Sequence, residues 1–169
     1  MTLRSLRRGP AGLPALLAGT LLLAGAPALR ADTLYTLESF CSLDGTEAVP
    51  CRIEAVNARE ITEYRHRIGE REVRFRVADE PHTRVELWDG AAGQWRSARN
   101  ATAYFALNAL CLDGTSFCAL NPNYLNRVRQ SLGRAANGRS VMAVRFGQDG
   151  RINASCYDAG CPGGDQPAP

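Results

Sequence analysis

The chain has 169 residues, of which 45% are hydrophobic and 22% charged, a balance that fits a globular protein and excludes a wholly disordered one. All 20 basic residues are arginine; Arg4, Arg7, Arg8 and Arg30 lie in the first 31 residues, whereas all 17 acidic residues follow them. From residue 32 onward 16 arginines therefore meet 17 carboxylates, a net charge of −1. That leaves no clustered positive charge for a nucleic acid or an anionic membrane.

Residues 1–31 have the parts of an export signal: a basic start, the apolar run LPALLAGTLLLAG, and small residues for cleavage after Ala28 or Ala31. The apolar run falls short of a spanning helix of about 20 residues, and Pro14 and Pro27 interrupt it, so no transmembrane span is expected after cleavage. Arg7-Arg8 is followed by Gly9-Pro10-Ala11, which does not continue as a twin-arginine signal. The expected location is periplasmic or extracellular. What remains reads as one β-rich domain over 32–161 and a flexible tail, PGGDQPAP, over 162–169.

Within that domain, Thr33–Phe40 and Cys51–Val56 read as strands, the second opened by Pro50. The most legible stretch runs from Glu60 to Arg99. Gly69-Glu70 suits a type II′ hairpin, because glycine takes positive φ without a Cβ clash. This register sets Tyr64 opposite Phe75, His66 opposite Val73 and Thr62 opposite Val77 on an apolar face. The other face pairs Arg67 with Glu72, Glu63 with Arg76 and Arg65 with Arg74. A slip of one residue would scatter the apolar set over both faces, so burial fixes the pairing.

Pro81 ends the strand carrying Phe75, and a new strand begins near Thr83, with Val85 and Leu87 on one face and Arg84, Glu86 and Trp88 on the other. The turn from Asp89 to Gln94 sets Trp88 opposite Trp95. A cross-strand tryptophan pair serves either as a binding platform or as a second buried layer. Trp88 and Trp95 are the candidate binding residues.

Asn100–Leu112 is Ala-rich but carries Tyr104, Phe105 and Cys111, and reads as strand. A helix is expected from Asn121, a capping residue, through Pro122 at the first helical position to Gly133. Leu125, Val128 and Leu132 share its apolar face, with Tyr124 beside Val128. Arg127 and Arg129 complement the helix dipole. A last hairpin joins Val141–Phe146 to Arg151–Tyr157 through a three-residue loop ending in Gly150. That loop pairs Phe146 with Ile152, Val144 with Ala154 and Met142 with Cys156.

The six cysteines Cys41, Cys51, Cys111, Cys118, Cys156 and Cys161 all follow the export signal, which points to disulfides. Their spacing favours the nearest-neighbour pairs 41/51, 111/118 and 156/161. Each closes a short loop and contributes about 2 kcal/mol. The absence of CxxC, and of any histidine near a cysteine, speaks against structural zinc, and no metal or other cofactor is expected. The segments CSLDGT (41–46) and CLDGT (111–115) echo each other; recurrent Asp-Gly turn chemistry accounts for this. Asp44, Asp113 and Asp149 lie in no patterned calcium loop and read as turn formers.

No nucleophile elbow, metalloprotease, Walker or dinucleotide motif occurs. His66 sits on the apolar face as a core residue. His82, near Asp79 and Glu80, is the candidate base of a hydrolase reading, and no catalytic residue is assigned. In outline, a short Cys-bearing β domain of this kind resembles the small exported β-barrels that inhibit lysozymes. No inhibitory loop motif maps onto this sequence, so nothing is carried over residue by residue.

The expected fold is mainly β, a small antiparallel barrel or sandwich stapled by disulfides with one short α-helix. The expected function is a non-enzymatic exported binding module whose partner is an envelope polymer or protein. A structural or stress-related secreted protein and a periplasmic hydrolase are the alternatives. Titration of the unreduced mature protein with a thiol reagent is expected to detect no free thiol; six equivalents would refute the paired-cysteine reading.

Overall fold

The computed structural model describes residues 32–58 and 61–161; the expected export signal and the tail lie outside the described residues. The described residues form eleven strands in one antiparallel sheet. They are β1 (Asp32–Leu43), β2 (Val49–Ala58), β3 (Ile61–Ile68), β4 (Arg71–Ala78), β5 (Arg84–Asp89) and β6 (Gln94–Ser97). The second half holds β7 (Asn100–Tyr104), β8 (Ala109–Leu112), β9 (Phe117–Leu120), β10 (Val141–Phe146) and β11 (Ile152–Tyr157). One helix, α1 (Pro122–Leu132), continues into a 3-10 turn over Gly133–Ala136.

The spatial order is β11-β10-β7-β8-β9-β1-β2-β3-β4-β5-β6, so β6 is an edge although only Ala98 and Arg99 separate it from β7. A two-residue link cannot cross a flat sheet eight strands wide, since neighbouring strands lie nearly 5 Å apart. The sheet must curl, and it does so as a half-barrel. The link is held on both sides. Ala98 N donates to Val85 O (2.8 Å), and Phe146 N donates to Arg99 O (2.9 Å). Arg99 N donates to Asp113 Oδ1 (2.6 Å), and Arg96 Nη1 lies 2.7 Å from Asp113 Oδ2. Asp113, buried in the turn between β8 and β9, thus ties the edge strand to the middle of the sheet.

The β3–β4 hairpin has the expected register, with Tyr64 opposite Phe75, His66 opposite Val73 and Arg67 opposite Glu72. Gly69 has φ 59°, while Glu70 keeps negative φ, as a type II′ turn requires. Trp88 stands opposite Trp95. The cysteines pair as nearest neighbours, 41/51, 111/118 and 156/161.

Three details differ from the sequence reading. Asn100–Leu112 is two strands with a tight turn, Asn108 taking φ 53°, not one strand. The last hairpin pairs Phe146 with Ile152 as expected, but a bulge then shifts the register, and Val144 faces Ser155 while Met142 faces Tyr157. The two Asp-Gly loops, beyond sharing turn chemistry, lie side by side: Asp44 N donates to Ser116 O (3.0 Å) and Gly45 N to Thr115 O (2.9 Å), extending the β1–β9 ladder.

The concave face carries the core. Ile53, Phe75 and Leu112 are fully buried there with His66, and Leu125 anchors α1 against them. Asn121 caps the helix, its Oδ1 accepting from Tyr124 N (3.0 Å) and from the Tyr35 hydroxyl (3.2 Å). Tyr124 then meets Tyr64 edge-on at 5.1 Å and Phe75 at 5.7 Å. The helix therefore lies inside the curl, over β3 and β4.

Replacing Asp113 by Asn preserves shape and tolerance of φ 49° but removes the charge that Arg96 meets. The expected cost is about 1–2 kcal/mol, against less than about 0.5 kcal/mol for Asp44→Asn on the exposed sister loop. Urea unfolding midpoints measure both; equal shifts would show that the closure does not depend on that carboxylate.

Candidate functional site

A cleft of about 760 Å³ separates α1 from the ends of β3, β4 and β5. That is the size range of a small-molecule site. The helix places it: because Leu125 is drawn into the core, the neighbouring helical face with Arg127, Val128 and Ser131 looks across at the sheet. Thr62 and Tyr64 of β3 and Val77 of β4 form the facing wall. The β4–β5 connection adds Asp79, Glu80 and Thr83 at one side.

Electrostatics divide the cleft. Arg76 and Arg84 line it, but both guanidiniums are committed to Glu86, at 2.6 and 2.8 Å. Burial would raise the Glu86 carboxyl; hydrogen bonds from Arg76 and Arg84 outweigh it and hold the group below the usual carboxylate range. Arg127 meets no carboxylate at ion-pair distance among the described residues, and it faces a group of phenols. Burial pushes Tyr64 up to about 12, Tyr35 adding to the rise and Arg127 opposing it. Tyr124 is raised further by burial. These phenols stay protonated at neutral pH and present hydroxyl donors.

Trp88 and Trp95, the residues singled out in the sequence, lie on the convex face, both partly exposed. Their rings meet at 5.3 Å and 64°. Arg74 stacks 4.4 Å from the Trp88 centroid and Arg76 4.3 Å from that of Trp95. These arginines also meet Glu63 (3.3 Å) and Glu86 (2.6 Å), so indole, guanidinium and carboxylate form one lattice over β3–β6. The tryptophans therefore stand apart from the cleft, joined to it through Arg76 and, by way of Glu86, through Arg84.

The histidines are separated too. His82 lies outside the cleft lining, its Nε2 donating to Asp149 O (2.9 Å). His66 is fully buried, 5.4 Å from the Phe75 ring and 4.8 Å from Phe117. All six cysteines are disulfide-bonded. Among the described residues, no cluster of three His, Cys, Asp or Glu side chains is placed to hold a metal ion, and no helix is long and apolar enough to cross a membrane.

Sequence reasoning missed the cleft. Its one legible signal was the row Tyr124, Arg127, Val128, Ser131 along a helix face adjoining the Leu125 anchor. The facing wall comes from strands some 50 residues earlier in the chain, and no periodicity links the two.

Compared with known proteins, the chain matches no family model, no curated protein and no solved structure.

Burial drives His66 down to about 4; the nearby backbone of Val73 and Tyr64 opposes this only in part. Unfolding restores a pKa near 6.5, so the unfolded chain binds the proton more readily. The contribution of neutral His66 is therefore complete above about pH 6.5 and is lost as pH falls towards 4, amounting to at most about 3 kcal/mol. Urea midpoints of the wild type are expected to fall between pH 7 and 5, and those of His66→Leu to stay nearly level. A level wild-type profile would exclude the histidine as the cause.

Proposed function

We propose that this protein is an exported, non-enzymatic binding module, periplasmic or extracellular, whose ligand seat is the cleft between α1 and β3–β5. The observation that carries this reading is the cleft itself: about 760 Å³, roofed by a helix whose anchor residue Leu125 is fully buried. Half-barrels with a helix over the mouth offer a preformed, partly apolar seat, and such seats require little reorganisation on binding. The three disulfides are compatible with an oxidising, exported location.

A second reading rests on Trp88 and Trp95, which stand together on the convex face and remain partly exposed. There the partner would be an envelope polymer or protein meeting the arginine–glutamate lattice. The guanidiniums of Arg74 and Arg76 already cover the ring faces, which favours the cleft as the primary seat. A hydrolase has less support: His82 is turned to a backbone carbonyl and lies outside the cleft lining.

The two seats separate by substitution. Ser131 is an exposed helical residue on the cleft wall, and Ser131→Trp is expected to fill the cleft without touching the core. Anilinonaphthalene sulfonate, titrated fluorimetrically, is expected to bind the wild type saturably and Ser131→Trp at least roughly tenfold more weakly, with unchanged Tm. Trp88→Ala/Trp95→Ala is expected to bind the dye like the wild type. The reverse pattern would transfer the seat to the convex face.

A further inference from the structure

Building on the cleft as the ligand seat, we propose that it receives a short apolar peptide in its zwitterionic form. The peptide carboxylate meets Arg127, and its amino terminus meets Asp79 and Glu80.

The inference starts from which charges in the cleft are already answered. Arg76 and Arg84 share the single carboxylate of Glu86, which leaves one net positive charge among the three. Arg127, on the helix wall, has no carboxylate within ion-pair distance among the described residues. The carboxylates of Asp79 and Glu80, on the β4–β5 connection, likewise meet no cation at ion-pair distance among the described residues, although Arg84 donates to the Glu80 carbonyl; Asp79 Oδ1 accepts the Thr83 hydroxyl at 3.1 Å. Among the described residues, the helix side of the cleft thus carries +1 from Arg127, and the strand side carries −1, the sum of Asp79 and Glu80 against the surplus of Arg76 and Arg84 over Glu86. A fatty carboxylate would satisfy Arg127 and bring its apolar body against the acidic wall. An alkylammonium would do the converse. Taking a charge out of water without a partner is unfavourable, so a ligand charged at both ends suits these walls better than either.

The middle of the cleft is apolar, lined by Val77, Val128 and Leu132, each packed against the core on its other side. These side chains would accept apolar ligand residues, while the Tyr64 and Tyr124 phenols and the hydroxyls of Thr62 and Ser131 can meet peptide N–H and C=O groups. A volume of about 760 Å³ accommodates a tripeptide of this kind. Recognition through both termini would make the site indifferent to most of the sequence and selective for short free peptides over internal segments of a long chain.

The test uses the mature protein and the tripeptide Leu-Ala-Leu in four forms: free, N-acetylated, C-amidated and capped at both ends, titrated calorimetrically at neutral pH. The free form is expected to bind about tenfold more tightly than either singly capped form. Arg127→Gln is expected to abolish the difference between free and amidated peptide only. Asp79→Asn/Glu80→Gln is expected to abolish the difference between free and acetylated peptide only. All three residues are exposed, so folding is expected to be unaffected, and Tm measurements verify this. Equal binding of all four forms, or no binding of any while the cleft still takes the dye, overturns the peptide inference and leaves the cleft reading standing. Failure of both peptide and dye to bind overturns both.

Discussion

The closure of the sheet at Asp113 is the constraint on which the other features rest. Strand β6 ends at Ser97 and β7 begins at Asn100, yet the two lie at different places in an eleven-stranded order. Only a curled sheet joins them across two residues. The Asp113 carboxylate receives the Arg99 N–H and the Arg96 guanidinium within 2.7 Å, fixing the link where it must turn. Its side chain is almost fully buried, so these hydrogen bonds form where water competes poorly. Were this link free, β6 could swing away as an ordinary sheet edge and the concavity would open.

The curl gives the two faces different chemistry. Inside, Tyr64, Phe75 and His66 stack along β3 and β4, and α1 is drawn in by Leu125 and Tyr124. Outside, arginines and glutamates alternate along the same strands. Their ion pairs do not follow the direct cross-strand register: Glu63 stands opposite Arg76 but bonds Arg65 (2.8 Å) and Arg74 (3.3 Å), leaving Arg76 for Glu86. Twist brings diagonal neighbours within reach of long side chains, and a network satisfies more guanidinium donors than isolated pairs would. Arg76 belongs to this network and also borders the cleft, so Glu86 sets how much of its charge a ligand would meet.

How much was legible varied with how local the information was. The β3–β4 hairpin could be read in full because strict alternation meets a glycine that needs positive φ. The tryptophan pair followed from counting across a turn. The cysteine pairs agreed with spacing, since two bridge the paired strands β1–β2 and β8–β9 and the third closes a short turn after β11. The β10–β11 register was lost at a bulge, because the extra residue it inserts leaves no mark in a stretch as bland as Ile152-Asn153-Ala154-Ser155. Asn100–Leu112 was half read: its alanines favour helix against the strand preference of Tyr104 and Phe105, and the turn that divides it depends on Asn108 in the left-handed region.

The amino-acid sequence by itself determined the strand-rich composition, the central hairpin and its two faces, and the helix with its Asn121 cap, while its spacing only favoured the cysteine pairs that the fold then fixed. Each rests on side-chain periodicity, turn chemistry or spacing within a few residues. Tertiary structure alone decided that β10 lies against β7, that β6 is held near β7 through Asp113, and that Arg127 lines one cleft with Asp79 and Glu80. The Asp113 contacts join residues 14 and 17 apart and the other two some 40 to 50 apart, and all arise from the curl of the sheet as a whole, which no local run of residues encodes.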